Sequence, residues 1–137
     1  MVSSDPNDLD FEVIYGFISQ SYWAKGIPRE TLQKAIDNSL VFGVYTEVGQ
    51  QVGFARLSTD RATFAYLADV FIVESYRGKG LSKLLMKHII THPDLQGLRR
   101  LMLATSDAHG LYAGFGFKPI ENPDILMQIW QPNIYQS

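Results

Sequence analysis

The chain contains no cysteine, which removes disulfides, thiolate zinc sites and a cysteine nucleophile together. It has no apolar run approaching the ~20 residues that span a bilayer, so no membrane partner is expected. Charge is sparse and nearly balanced, with 12 Lys and Arg against 14 Asp and Glu for a formal −2. No global basic field directs such a chain to nucleic acid, and any anion site has to come from local geometry. Histidine is limited to His88, His92 and His109. His88 and His92 are four apart, but no nearby carboxylate completes a ligand set and Pro93 ends their helix, so no metal is expected. The opening residues, MVSSDPNDLD, are polar and acidic and resemble neither a secretory signal nor a transit peptide. The default location is therefore cytoplasmic.

What is present suits one soluble globular domain over residues 1–137, with 46% hydrophobic and 19% charged residues and enough length for a real core. No repeat or linker divides it. Asp10 is placed to cap a first helix with Phe11, Ile14, Phe17 and Ile18 as its apolar stripe. Pro28 suits the first position of a second helix, whose inward face is Leu32, Ala35 and Ile36. The segments LVFGVYTE and QVGFARLS, joined around Gly49, predict a hairpin. A central strand follows from Thr63 to Val73. Then come a helix with Leu81, Leu84, Leu85, His88 and Ile89 on one face, a strand in LRRLMLAT, a short helix in DAHGLYAGFGF, and a last strand in DILMQIW. The fold class is mixed α/β (α+β), with helices covering a mostly antiparallel sheet.

The junction between the central strand and the following helix reads VESYRGKGLSKLL. Gly78 and Gly80 permit a tight turn and close backbone approach. Arg77, Lys79 and Lys83 add positive charge where the first helical N–H groups have no partners. That combination favours a phosphate or pyrophosphate. The Walker spacing is absent, and the dinucleotide fingerprint finds Lys83 at its third glycine position.

YRGKGLSKLL resembles the acyl-CoA pyrophosphate loop of the GNAT (GCN-related) N-acetyltransferases, with Arg77 and Gly80 in two fixed places and Ser82 where a still smaller residue is usual. AHGLYAGFGF is similar to that family's later motif, through Leu111, Tyr112, Gly116 and Phe117. The resemblance extends over nearly the whole chain, most specifically from Leu67 to Phe117. It implies the splayed GNAT sheet and an acetyl-CoA-dependent transfer to an amine, with acetyl-CoA as the acyl donor.

The resemblance further implies that the pantetheine arm pairs with Val70, Phe71, Ile72 and Val73. The pyrophosphate would lie on the loop Arg77, Gly78, Lys79, Gly80, Leu81, Ser82 and Lys83. An N–H near Phe71 would face the thioester carbonyl. Tyr112 is assigned the acid that protonates the departing thiolate, since a phenol with a pKa of about 10 is protonated at neutral pH. Asp69, an acid inside the apolar run YLADVFIV, is the candidate base, and equally a buried aspartate satisfying its neighbours. Glu74 more naturally shapes the loop, and His109 reads as a solvated loop histidine. Asp107 stands where relatives often have an asparagine that bonds the pantetheine; helix capping is the safer reading, with a CoA contact as the other.

On the acceptor side, Tyr22 and Trp23 either wall an amine site or anchor the core, with packing the favoured reading. Trp130 reads as core. Arg56 and Asp60 are further acceptor-side candidates. Three functions stand in order: acetylation of a small amine metabolite, acetylation of a protein or peptide, and a non-catalytic acyl-CoA sensor. The chain is expected to be a monomer or homodimer, the latter through ILMQIW.

Overall fold

A computed structural model describes residues 1–136. Its order is β1 (Val2–Ser3), α1 (Phe11–Ile18), α2 (Arg29–Asp37), β2 (Leu40–Tyr45), β3 (Gln51–Thr59), β4 (Phe64–Ile72), α3 (Leu81–Thr91), β5 (Arg100–Leu103) and α4 (His109–Ala113), with short 3-10 turns between. One five-stranded sheet runs β1-β2-β3-β4-β5. The first three pairings are antiparallel, and β4 and β5 are parallel. No helix of the described residues is long and apolar enough to cross a membrane.

The helices form where their caps and apolar spacing dictate. Asp10 accepts the N–H groups of Glu12 and Val13 and starts α1, which buries Ile14 and Ile18. Pro28 sits one place earlier than expected, as the cap of α2, while Leu32 and Ile36 turn inward. These four residues, with Val41, Phe54 and Phe71, fill one side of the sheet. Leu85, Met86 and Ile89 of α3 fill the other with Phe42, Val44, Val52 and Leu57. The exposed His88 gives way to Met86 on the inner face of α3. Because β2 and β3 are covered on both faces, they are buried almost throughout.

The expected last strand does not form. DILMQIW joins no strand pairing among the described residues; Met127 and Ile129 are 97% and 96% exposed, and Trp130, expected in the core, is 70% exposed. Propensity alone cannot hold a strand without a paired edge.

One irregularity positions everything that follows. Arg56 opposes Ala68 and Phe54 opposes Phe71, so β4 spends one more residue than β3 over the same stretch. The bulge coincides with Asp69, which has φ +56°, a left-handed conformation that aspartate tolerates better than most residues. Pairing with β5 ends two residues before Asp69, at Leu67 with Leu103. Beyond it β4 has no strand neighbour on that side among the described residues, and the sheet opens into a split.

Candidate active site

The split is edged by particular backbone groups. Val73 N–H donates to Val52 at 2.8 Å, so it points toward β3. Alternation along the strand then turns Ile72 the other way, into the split. Ile72 is the residue whose carbonyl accepts a bond from Arg77 Nε at 3.0 Å. The same parity turns Phe71 N–H toward Phe54 of β3. The amide expected near Phe71 is therefore that of Ile72, while the Phe71 ring stacks on Phe17 at 4.1 Å on the opposite face.

At the end of β4 the chain makes a 3-10 turn, Glu74–Tyr76, whose first carbonyl accepts Arg77 N–H. Glu74 thus shapes the loop. Gly78 and Gly80 have φ +79° and +78°, and a Cβ on either would meet nothing within 4 Å. Glycine is needed here for the backbone turn and not for room against the protein. Gly80 caps α3 with no side-chain hydrogen bond, and the first i to i−4 bond of α3 is Leu84 N–H to Gly80. The N–H groups of Leu81, Ser82 and Lys83 are thus left for another acceptor. They open on a cleft of about 320 Å³ lined by Ile72, Tyr76, Arg77, Gly78, Gly80, Leu81, Ser82, Lys83 and Leu111. Lys79 stands over the Tyr76 ring at 5.0 Å. A larger, more open hollow of about 490 Å³, by Thr63 and Arg100, lies at the other end of β4 and has none of these groups.

Leu111 brings α4 to the same cleft. The next residue, Tyr112, is 9% exposed and packs edge-on against Phe117 at 5.8 Å. Its hydroxyl has no hydrogen-bond partner among the described residues, yet no buried side-chain polar atom there is sealed off unpaired. The oxygen therefore reaches an accessible surface. Burial, then the charge of Asp107 and then Tyr22, raises its pKa above the ordinary phenol value, so it remains a proton donor at neutral pH. Asp107 itself does not cap α4: Thr105 Oγ1 accepts the Ala108 N–H at 3.1 Å, and the cap position carries no side-chain bond of its own.

Across the bulge lies a network that no single stretch of sequence announces. Asp69 Oδ2 receives Arg56 Nε at 2.6 Å, and Asp69 Oδ1 receives Trp23 Nε1 at 2.7 Å. Arg56 Nη1 also reaches Ser39 and Ser58 at 3.4 Å each. An acid in an apolar strand signals that a partner must exist, but the partners lie 13 and 46 residues away. Tyr22 and Trp23 are not core anchors: they are 74% and 43% exposed and pack edge to face at 5.1 Å. The Tyr22 hydroxyl lies 3.0 Å from Ser106 Oγ, linking the α1–α2 loop to the loop that follows β5. Asp60 is elsewhere. Its carboxylate accepts the N–H groups of Ala62, Thr63 and Phe64 and the Thr63 hydroxyl, building the β3–β4 turn.

A split sheet, a glycine elbow at a helix start and a half-sealed tyrosine beside it form one constellation, and comparison with known proteins gives the family of the chain that carries it. The acetyltransferase (GNAT) domain model matches residues 5–129. FG08082, an acetyltransferase-type protein of Gibberella zeae, is 33% identical over 134 residues, covering 82% of this chain and 75% of its own. The crystal structure of a GNAT-family protein from Xanthomonas campestris pv. campestris is 52% identical with a TM-score of 0.97, covering 100% of this chain and 96% of that one. Rv2747 of Mycobacterium tuberculosis, solved in complex with CoA, shares the fold at TM-score 0.71 and 17% identity, covering 88% of this chain and 73% of that one. The chain belongs to the GNAT family of acetyltransferases, and the N-acetyltransferase class follows from that membership.

Proposed function

We propose that the protein transfers the acetyl group of acetyl-CoA to the primary amine of a small metabolite, by direct attack of the amine on the thioester. The observation that carries this reading is Tyr112, a buried phenol with an unpartnered hydroxyl on the helix that shares its cleft with the glycine elbow. The complex of Rv2747 with CoA supports the choice of donor. The elbow fits such a donor: three free N–H groups, Arg77 and Lys83 suit a pyrophosphate, and glycines allow the backbone to approach it. When bound, acetyl-CoA supplies a thioester activated for attack by nitrogen.

The remaining steps fall to this chain's own groups. Ile72 N–H is the donor suited to the developing oxyanion, and Arg77 fixes the strand end by its bond to the Ile72 carbonyl. Val70 and Val73 flank that point. Asp69 belongs to the acceptor side. Each carboxylate oxygen has a lone pair beyond those used by Arg56 and Trp23, so it can accept a hydrogen bond from the amine and then its proton. Tyr22 and Trp23 frame the entry with aromatic faces suited to an ammonium. Tyr112 delivers its proton to the sulfur as the C–S bond breaks, and the amide product and CoA thiol leave. The small-amine reading rests on the two aromatic faces of Tyr22 and Trp23, which suit an ammonium.

The test is amine-dependent release of free CoA over a panel of small amines, polyamines, amino acids and basic peptides. Turnover with one class of small amine supports the reading. Turnover confined to peptides would move the substrate to the protein class, and binding of acetyl-CoA without turnover of any amine would favour a sensor.

A further inference from the structure

Arg56 has donors left over once its bonds within the protein are made. Its Nε donates to Asp69 Oδ2 at 2.6 Å, and its Nη1 reaches Ser39 and Ser58 at the long distance of 3.4 Å. A guanidinium carries more N–H groups than these bonds use. Nη2 has no hydrogen-bond partner among the described residues, yet no buried side-chain polar atom there is sealed off unpaired. It therefore reaches accessible surface, from a side chain that is 20% exposed.

That surface is on the acceptor side. Phe54 of β3 packs with α1 and α2, and Ala55 and Leu57 pack on the other face. Alternation along the strand turns Arg56 and Ser58 to the same face as Phe54. Trp23, whose Nε1 holds the other oxygen of Asp69 at 2.7 Å, borders the same place. The two serines differ. Ser39 already donates its proton to the Ala35 carbonyl at 2.6 Å, whereas the exposed Ser58 accepts from Arg56 and keeps its proton for another acceptor.

Charge decides what the acceptor has to carry. Arg56 offsets the charge of Asp69, so the pair draws a bare ammonium only weakly from a distance. A zwitterion matches both halves at once, its ammonium on Asp69 and its carboxylate on the free edge of Arg56, with charges alternating around the group. We propose that the acceptor is an α-amino acid and that Arg56 selects it by binding its carboxylate. This rests on the acetyl-transfer reading above. Nη2, with Nη1 and the Ser58 hydroxyl, gives the carboxylate a planar, charge-assisted pair. One ion pair presents both Asp69 and Nη2, so amine and carboxylate have to sit close together, as they do on a single carbon. The carboxylate takes no part in bond making. The neutral amine nitrogen bonds to the acetyl carbon and its proton passes to Asp69. The C–S bond breaks and the sulfur takes the proton of Tyr112. The products are an N-acetyl amino acid and CoA thiol, and exchange with solvent resets both groups.

The test compares each α-amino acid with its amide and its decarboxylated amine, by release of free CoA from acetyl-CoA. The same acids and amides are titrated calorimetrically into protein saturated with CoA. The expected kcat/KM is at least about tenfold higher for the acid of each productive set, and only the acid binds the CoA-loaded protein. Arg56→Lys keeps a cation beside Asp69 but loses the planar fork. It should erase the preference by raising KM for the acid, with KM for acetyl-CoA unchanged. Ser58→Ala, at an exposed position, should narrow the preference several-fold; circular dichroism checks the fold of both variants. Equal turnover of acids, amides and decarboxylated amines would overturn the inference and leave acetyl transfer standing. A preference undiminished in Arg56→Lys would overturn it too. Acid-selective binding without turnover would uphold the anchor and sink the transfer reading, and neither binding nor turnover would overturn both.

Discussion

Trp23 Nε1 donates to Asp69 at 2.7 Å while Asp69 holds the left-handed turn of the β4 bulge. The α1–α2 loop is thereby tied to the point at which the sheet opens, and the Arg56 bond on the other carboxylate oxygen completes the grip. Removing the charge with Asp69→Asn leaves Arg56 partly buried and unpaired. The expected loss is about 3 kcal/mol of unfolding free energy, measured by urea titration, with turnover reduced as well. Trp23→Phe keeps a ring but loses the donor. It should cost only about 1 kcal/mol and raise KM for the amine while leaving KM for acetyl-CoA unchanged. An equal rise in both constants would contradict the assignment of Trp23 to the acceptor side.

Gly80 separates backbone conformation from crowding. A Cβ there meets no protein atom within 4 Å, so Gly80→Ala destabilises only through its φ of +78°, by about 1 kcal/mol. Asparagine, which accepts that conformation more readily, should cost less. Both should raise KM for acetyl-CoA, because a side chain now stands where the donor approaches. Calorimetric unfolding together with acetyl-CoA titration checks the pair; an unchanged acetyl-CoA affinity in both variants would remove the elbow from the site.

The β3–β4 turn carries its own pH signature. The Thr63 hydroxyl, then the N–H groups of Thr63, Ala62 and Phe64, hold the Asp60 carboxyl well below the usual carboxylate range. A depressed folded-state pKa contributes stability above the unfolded value, about 3.9, that is lost as pH falls through the folded one. Asp60→Ala should therefore be less stable than the parent at neutral pH, with the gap narrowing below about pH 4. Urea unfolding at several pH values checks this, and a gap independent of pH would contradict it.

Most of the scaffold was legible because it is local. Asp10, Pro28, Gly49 and the glycine elbow each specify a nearby turn or cap, and the apolar periods of α1 and α2 matched their buried faces. Tyr112 and the elbow stood out because their motifs are contiguous. What could not be read was relational. The Arg56–Asp69–Trp23 network joins three elements, and the Asp69 bulge that sets the parity of Ile72 over Phe71 depends on a register between strands. Tyr22, Trp23 and Trp130 were drawn toward the core by their hydrophobicity, but large apolar residues also occupy surfaces. DILMQIW has the composition of a strand, and composition does not supply an edge for it to meet.

The central claim rests on Tyr112. Its pKa is raised by burial first and then by Asp107 and Tyr22, so the protonated form persists beyond the ordinary phenol value of about 10. Loss of its proton cannot therefore limit turnover near neutrality. The most direct measurement is single-turnover acetyl transfer as a function of pH by the parent and by Tyr112→Phe, each saturated with acetyl-CoA and its best amine. The account predicts a rate reduced by about 10²-fold or more in the variant, unchanged acetyl-CoA affinity, and disappearance of the most alkaline limb of the profile. A variant that transfers acetyl at the parent's rate, with the same alkaline limb, would contradict it.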